Sequence, residues 1–320
     1  MTQLLEVRDL NMSYPVGRKG LFGTRMMQVL RDVSLSVAPG EVLGLVGESG
    51  SGKSTIGKAV LRLIDAQSGA MTFAGHDLNT IPAAQLRSLR KDMQIIFQDP
   101  YASLDPRKTI RAVLSEALDT HHLHPGPARA PRLTALMEMV GLNPTFLDRL
   151  PHEFSGGQRQ RIGIARALAV EPKFIVCDEA VSALDVSIQA QVLNLLADLR
   201  ASQGISLLFI SHDLSVVRYI SDRIMVLYLG RVMEVGPADD VHFTPRHPYT
   251  AALVSAEPSL KHAPQRIRLT GEIPSPLTPP SGCVFRSRCP YALPACAGDI
   301  PQLRPAGEGR LKACIRDDIL

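Results

Sequence analysis

Residues 47–54 read Gly47-Glu48-Ser49-Gly50-Ser51-Gly52-Lys53-Ser54, a spacing suited to wrapping backbone around phosphate. Glycines so placed let successive N–H groups turn inward on phosphate oxygens, and a helix starting at Lys53 adds the positive end of its dipole. Lys53 then bridges the β- and γ-phosphates, and the Ser54 hydroxyl ligates Mg²⁺. The pattern G-x-x-x-x-G-K-[ST] is complete, and it follows the apolar run Val42–Val46 as the mechanism requires. A chance glycine-rich turn is the alternative, and the full pattern in this context argues against it.

Two further groups bear on the same chemistry. Phe174-Ile175-Val176-Cys177-Asp178-Glu179 is an apolar strand ending in two carboxylates. Asp178 at the strand tip can hold Mg²⁺, and Glu179 beyond it can polarise an attacking water, a role worth roughly 10²–10⁴-fold in rate. Alone, such a pair is usually a solvated turn; with a phosphate loop upstream, metal and base is the stronger reading. Ser155-Gly156-Gly157-Gln158 opens a helical pattern. Ser155 and Gln158 have capping-box spacing, which could explain that pair alone. Capping leaves unexplained two consecutive glycines, which cost helix propensity, at an end whose bare N–H groups attract anions.

The surrounding sequence predicts an α/β scaffold. Residues 4–14 alternate as an edge strand, Val16 to Arg25 reads as an exposed loop, and a second strand follows near Met26–Val37. Pro39-Gly40 makes a turn, Val42–Val46 a buried strand, and a helix runs from Lys53 to about Ile64. From Gln98 to Val170 helical patterns dominate, broken by a loop at His121–Pro131, as in a helical subdomain inserted into the α/β core. Strands return at Phe174–Cys177 and Ile205–Ile210. Between them Ile188, Val192, Leu195, Leu196 and Leu199 recur at helical spacing, ended by Gly204, and a last core helix starts near Leu214. From Pro274 to Pro305 the chain reads as loops held by cysteines.

Bulk properties narrow the setting. The chain has 320 residues, 45% hydrophobic and 21% charged, with a formal net charge of +4. That charge is too small to argue for nucleic acid, and no block of like charges suggests a basic arm. Glu6, Arg8 and Asp9 come too early for a signal peptide, and the apolar runs are far short of the ~20 residues that span a bilayer. A cytosolic chain is expected, with any membrane role supplied by partners.

Over residues 4–235 the sequence resembles the ABC ATPase family. The signature element is matched by Phe154-Ser155-Gly156-Gly157-Gln158-Arg159-Gln160-Arg161, the glutamine loop by Gln98 in Phe97-Gln98-Asp99-Pro100, the D-loop by Ser182-Ala183-Leu184-Asp185 and the switch histidine by His212. The resemblance implies a P-loop NTPase core at 1–97 and 171–235 with an antiparallel β edge subdomain, and a helical subdomain at 98–170. It implies ATP and Mg²⁺ as ligands, bound through Gly47–Thr55 with Gln98 and Asp178 on the metal, and Glu179 and His212 as catalytic residues. Two cassettes would pack head to tail, so that Ser155 and Gly157 touch an ATP held by the partner, with Gly156, Gln158 and Asp185 also implied as nucleotide-binding residues. Tyr14 takes the position of the family's adenine-stacking aromatic, although a half-buried edge tyrosine is the plainer alternative. One departure is Ala180, where the family usually has proline after the catalytic glutamate; a rigid φ is lost but no catalytic group.

Beyond Gly236 the segments Phe243–Thr250 and Pro279–Pro290 resemble the C-terminal extension of oligopeptide/dipeptide importer ATPases, here residues 236–320. Pro151-His152-Glu153-Phe154 agrees with that subgroup, and the long first hairpin with the second of its two ATPases. A heterodimer is therefore expected, with two membrane permease subunits and an external solute-binding protein, at the cytoplasmic face of the inner membrane. Cys283, Cys289, Cys296 and Cys314 match cysteines that in relatives can hold a 4Fe–4S cluster; zinc, redox-variable thiols or no metal remain alternatives. Rival readings are weaker. A DNA-acting relative needs a long coiled coil between loop and signature, a ribosomal one needs two cassettes, and a degenerate scaffold should lack catalytic positions that are all present here.

Overall fold

A computed structural model of the chain describes residues 3–19, 23–99, 101, 103–257 and 267–319. Pro100, next to the predicted glutamine loop, lies outside them. In chain order the first elements are β1 (Leu5–Lys19), β2 (Gly23–Val37), β3 (Val42–Val46), α1 (Lys53–Val60), β4 (Ser68–Phe73), β5 (His76–Asp77) and α2 (Ala83–Leu89). There follow β6 (Met93–Ile96), α3 (Ile110–Thr120), α4 (Arg129–Met139), α5 (Gly156–Leu168), β7 (Phe174–Asp178), α6 (Val186–Gln203), β8 (Ser206–Ser211) and α7 (Leu214–Ile220). The last are β9 (Arg223–Tyr228), β10 (Arg231–Pro237), α8 (Ala238–Phe243), α9 (Pro248–Ala256), β11 (Arg304–Pro305) and β12 (Leu311–Lys312).

Two compact units result. The first comprises residues 1–37, 42–79 and 210–320, the second 38–41 and 80–209. In the first, β1 pairs antiparallel with both β2 and β4. The first strand is therefore an inner strand and not the predicted edge. The predicted loop from Val16 is also corrected: β1 and β2 continue to Lys19 and Gly23, with Arg18 opposite Thr24, and residues 20–22 lie outside the described residues. The same unit carries β3 parallel to β9, with β10 antiparallel to β9 and β12 antiparallel to β10. All five residues of β3 are buried, which explains its continuous apolar sequence. Helix α1 ends earlier than predicted. Arg62 turns left-handed at φ 52° and the Leu63 N–H returns to the Lys58 carbonyl, a closure that stops a helix.

In the second unit β6 and β7 run parallel, Met93 opposite Phe174 and Ile96 opposite Cys177. Every residue of β7 is buried. Burial pushes the Cys177 thiol up to about 12, so it is an inert core group. Helix α6 ends where expected, at Gly204 in the left-handed conformation (φ 67°). The helices α3, α4 and α5 bury Leu114, Leu118, Leu136, Met137, Ile162 and Ala165, the predicted helical stretch of the chain. Among the described residues no helix is long and apolar enough to cross a membrane.

The C-terminal segment of the first unit has little regular structure and is held by polar contacts. Glu234 on β10 is fully buried and accepts hydrogen bonds from the backbone N–H of Arg246 (2.8 Å) and of His247 (3.0 Å) and from Arg310 Nη2 (2.9 Å). Arg310 also donates to the Thr244 hydroxyl at 3.0 Å. Burial drives the His247 imidazole down to about 3, so it stays neutral and its Nδ1 accepts the Tyr249 N–H that opens α9. Breaking such an ion pair from one side leaves a buried charge uncompensated. Glu234→Ala is expected to lower the unfolding free energy by about 3–5 kcal/mol in urea titration, and a change below ~1 kcal/mol would show that water replaces the carboxylate.

Candidate nucleotide and cysteine sites

In the first unit the turn between β3 and α1 forms the predicted phosphate loop. Gly52 is the N-cap of α1 at φ 105°, and Gly47 has φ 156°. A Cβ on Gly47 would overlap the Leu227 carbonyl oxygen, and one on Gly52 would meet Leu30 Cδ2 at 2.6 Å. Both positions need glycine for space as well as for backbone conformation. Lys53 is buried, and its Nζ donates to the carbonyls of Gly47 (2.6 Å) and Glu48 (3.1 Å). The ammonium therefore closes the loop on itself, keeping the charge solvated by backbone. Ser51 is also buried, and its hydroxyl has no hydrogen-bond partner among the described residues, the orphaned polar atom that a phosphate oxygen would satisfy. Ser54 and Thr55 follow in the first turn of α1.

Two other predicted residues belong to this unit. Tyr14 is half-buried on β1 opposite Met27, which fits the plainer alternative as well as a stacking role. His212 is exposed in the turn between β8 and α7, a helix capped by the Asp213 carboxylate accepting from the Val216 N–H at 3.1 Å.

The second unit carries the acidic residues. Asp178 ends β7 and is buried; Glu179 follows in the left-handed region at φ 49°, unusual for a residue with a side chain. Its carboxylate Oε2 accepts a hydrogen bond from Gln98 Nε2 at 3.1 Å, so the structure brings together two residues 81 positions apart. The turn after Glu179 is pinned by Ser182, whose N–H (3.1 Å) and Oγ (3.0 Å) both donate to the Glu179 carbonyl. Ala180 is buried here. The rigidity a proline would give is thus supplied in part by Ser182. Asp185 is the N-cap of α6 but makes no side-chain cap bond.

Ser155 caps α5 in a complete capping box. Its hydroxyl accepts the Gln158 N–H at 3.3 Å, and Gln158 Oε1 accepts the Ser155 N–H at 3.0 Å. The capping reading is correct for that pair, and the glycines are what it leaves over. A Cβ on Gly157 would strike the Ile188 side chain of α6, whereas one on Gly156 would meet no atom of the described residues within 4 Å beyond its own helix and chain neighbours.

Cys283, Cys289, Cys296 and Cys314 line one small cavity together with Phe285 and Arg316. All four are free thiols, and among the described residues no group of three or more His, Cys, Asp or Glu stands ready to hold a metal ion. Burial pushes the Cys283 thiol up to about 11. The donor type suits a four-thiolate ligand, while the spacing is that of thiols sharing a pocket. Sequence reasoning missed that Arg288 and Tyr249 contact the phosphate loop. An acidic residue inside an anion-binding loop was the available signal, but nothing local pointed to partners about 200 residues away.

The ABC transporter family pattern matches residues 30–182, and that of the oligopeptide/dipeptide transporter C-terminal region matches residues 233–296. The chain is 54% identical, over 99% of both chains, to a putative peptide import ATP-binding protein of Brucella ovis. It is 49% identical to the oligopeptide transport ATP-binding protein OppF of Salmonella typhimurium, covering 99% of this chain and 97% of that one. With AppF of Bacillus subtilis it shares 48% identity, over 97% and 96% of the two chains. A solved dimer of the ATP-binding cassette MJ0796 bound to ADP and Pi superposes with TM-score 0.65 at 27% identity, over 73% of this chain and 98% of that one.

Gly156 lies in the first turn of a helix with open space around its Cα, so Gly156→Ala should raise stability by up to ~1 kcal/mol through helix propensity. A lowered thermal midpoint for this variant would mean that the glycine is needed for the fold itself. The chain belongs to the ABC transporter ATP-binding proteins, in the group that carries the oligopeptide/dipeptide transporter C-terminal region.

Proposed function

We propose that this chain is the ATP-binding and ATP-hydrolysing subunit that powers import of oligopeptides, dipeptides or a related small solute through an ABC transporter. The observation that carries it is the phosphate loop closed by Lys53, complete in a chain that matches peptide-import ATP-binding relatives from end to end. Lys53 and the loop residues from Gly47 to Thr55 hold the phosphates. Ser54, Asp178 and Gln98 offer the hard oxygen donors that Mg²⁺ prefers. Glu179 activates the attacking water, held ready by Gln98, and His212 senses the γ-phosphate. Tyr14 stacks on adenine. Ser155 and Gly157 touch the ATP of a second cassette, and Gly156, Gln158 and Asp185 bind nucleotide with them.

In this reading residues 1–97 and 171–235 form the ATPase core, 98–170 the subdomain that meets the membrane subunits, and 236–320 the extension. ATP binding closes two cassettes, hydrolysis reopens them, and the motion drives two permeases fed by an external solute-binding protein. The second cassette is a different ATPase chain, a reading supported by the resemblance of the long first hairpin to the second of the subgroup's two ATPases. The subunit works at the cytoplasmic face of the inner membrane, where ATP is available, and it is peripheral.

Glu179→Gln removes the base and keeps the loop, so ATP binding should persist while turnover falls by about 10²–10⁴-fold. Unaltered ATPase activity in that variant would show that another group activates the water. The extension's four cysteines are proposed to hold a 4Fe–4S cluster, supported by their convergence on one cavity, which Arg286 and Arg316 also line. Anaerobically purified protein should then absorb near ~400 nm and contain iron and sulfide, as thiolate-held clusters do. A colourless protein with zinc or no metal would overturn the cluster.

A further inference from the structure

The second residue of the phosphate loop is an acid, which is a physical problem. Glu48 lies beside the groups that bind phosphate, and an uncompensated carboxylate there repels the ligand. The structure shows what deals with it. Arg288, in the extension, grips the Glu48 carboxylate with both arms of its guanidinium: Nη1 to Oε2 at 2.7 Å and Nη2 to Oε1 at 3.1 Å. The pair is largely withdrawn from water, with side chains 10% and 23% exposed, so solvent screens it less than a surface pair.

Every polar group of Glu48 is engaged. Its N–H donates to the Tyr249 hydroxyl at 2.9 Å, and its carbonyl accepts from Lys53 Nζ at 3.1 Å. Burial pushes the Tyr249 phenol pKa up, so the oxygen stays a neutral hydroxyl. Arg288 Nη1 also reaches the Tyr228 hydroxyl at 3.3 Å. Phe285, three residues before Arg288, is fully buried against the rings of Tyr228 (5.3 Å) and Tyr249 (5.2 Å between centroids). The turn from Cys283 to Cys289 is closed by the Arg286 N–H to Cys283 carbonyl bond and the Arg288 N–H to Phe285 carbonyl bond. It thus presents cysteines to its own cavity and an arginine to the phosphate loop.

We propose that Arg288 is a positioning residue of the nucleotide site, neutralising and orienting Glu48 so that the loop is completed by this chain's own C-terminal extension. The proposal rests on the assignment of ATP to this loop. It predicts a charge-compensation pattern that a mere folding staple would not produce. Nucleotide affinity is measured on the full chain with Mg²⁺ and a fluorescent ATP analogue. Arg288→Gln should weaken binding about tenfold, the size expected when one partly screened charge is left unpaired. Adding Glu48→Gln to that variant should restore affinity to within about threefold of wild type, because the repelling charge is then gone. Arg288→Lys, which keeps charge without the fork, should fall between the two.

Raising the salt concentration should shrink the Arg288→Gln defect, since the exposed carboxylate is then screened. If Arg288→Gln does not fold, the same comparison is made between Arg288→Lys alone and Arg288→Lys with Glu48→Gln. Wild-type affinity in the single variant, or no recovery on adding Glu48→Gln, overturns the proposal. A wild-type chain that fails to bind the analogue would instead overturn the assignment of ATP to the loop, so the two failures are distinct.

Discussion

A phosphate site made of backbone must be rigid before its ligand arrives, because N–H dipoles that have to reorganise contribute little. In this protein the rigidity comes from one buried ammonium. Lys53 bonds to the carbonyls of Gly47 and Glu48, tying the start of the loop to the first turn of α1. The left-handed Gly52 lets the chain enter the helix, and Gly47 passes where no side chain fits beside Leu227. The buried strand β3 and the aromatic residues around Glu48 hold these positions in turn. The orphaned Ser51 hydroxyl is consistent with a loop shaped by its ligand rather than by internal satisfaction alone.

The same logic, order fixed in advance, governs the acidic turn of the second unit. Glu179 stands at a backbone angle that costs energy for a residue with a side chain, and such strain persists only where neighbours over-determine it. Here Ser182 supplies two hydrogen bonds to the Glu179 carbonyl and Gln98 one to its carboxylate. As the proposed base, Glu179 is held through both its backbone and its side chain and could be oriented by whatever moves Gln98. That would give the glutamine a physical part in coupling chemistry to motion without requiring it to touch the reacting atoms.

Much of this was legible in the residues. The phosphate loop, the strand ending in Asp178 and Glu179, and the capped helix after Ser155 each follow from local rules: glycine conformation, apolar runs and capping geometry. Local rules failed at β1 and β2. Pro15, Gly17 and Lys19 look like loop residues, yet pairing across the hairpin carries the strands past them, a tertiary gain that propensity does not contain. They failed again at α1, where Arg62 adopts a conformation usually left to glycine or asparagine. The partners of Glu48 and Glu234 were beyond reach for a different reason. A carboxylate withdrawn from water needs donors but says nothing of where along the chain they lie, and these lie as far away as Arg288 and Arg310.

The C-terminal extension illustrates what replaces a hydrophobic core when a segment is too irregular to build one. Its regular structure is slight, and burying its backbone without partners would be costly. Glu234 provides for three donors at once, and the neutral His247 opens α9 with its own ring nitrogen. Charged anchors of this kind stabilise little compared with apolar residues of the same size, but they are exacting about geometry. A loop whose task was only to cover the core would gain more from leucines. The use of buried charge, with an arginine from the cysteine turn reaching into the phosphate loop, argues that this extension is held in one arrangement because the nucleotide site depends on where it stands.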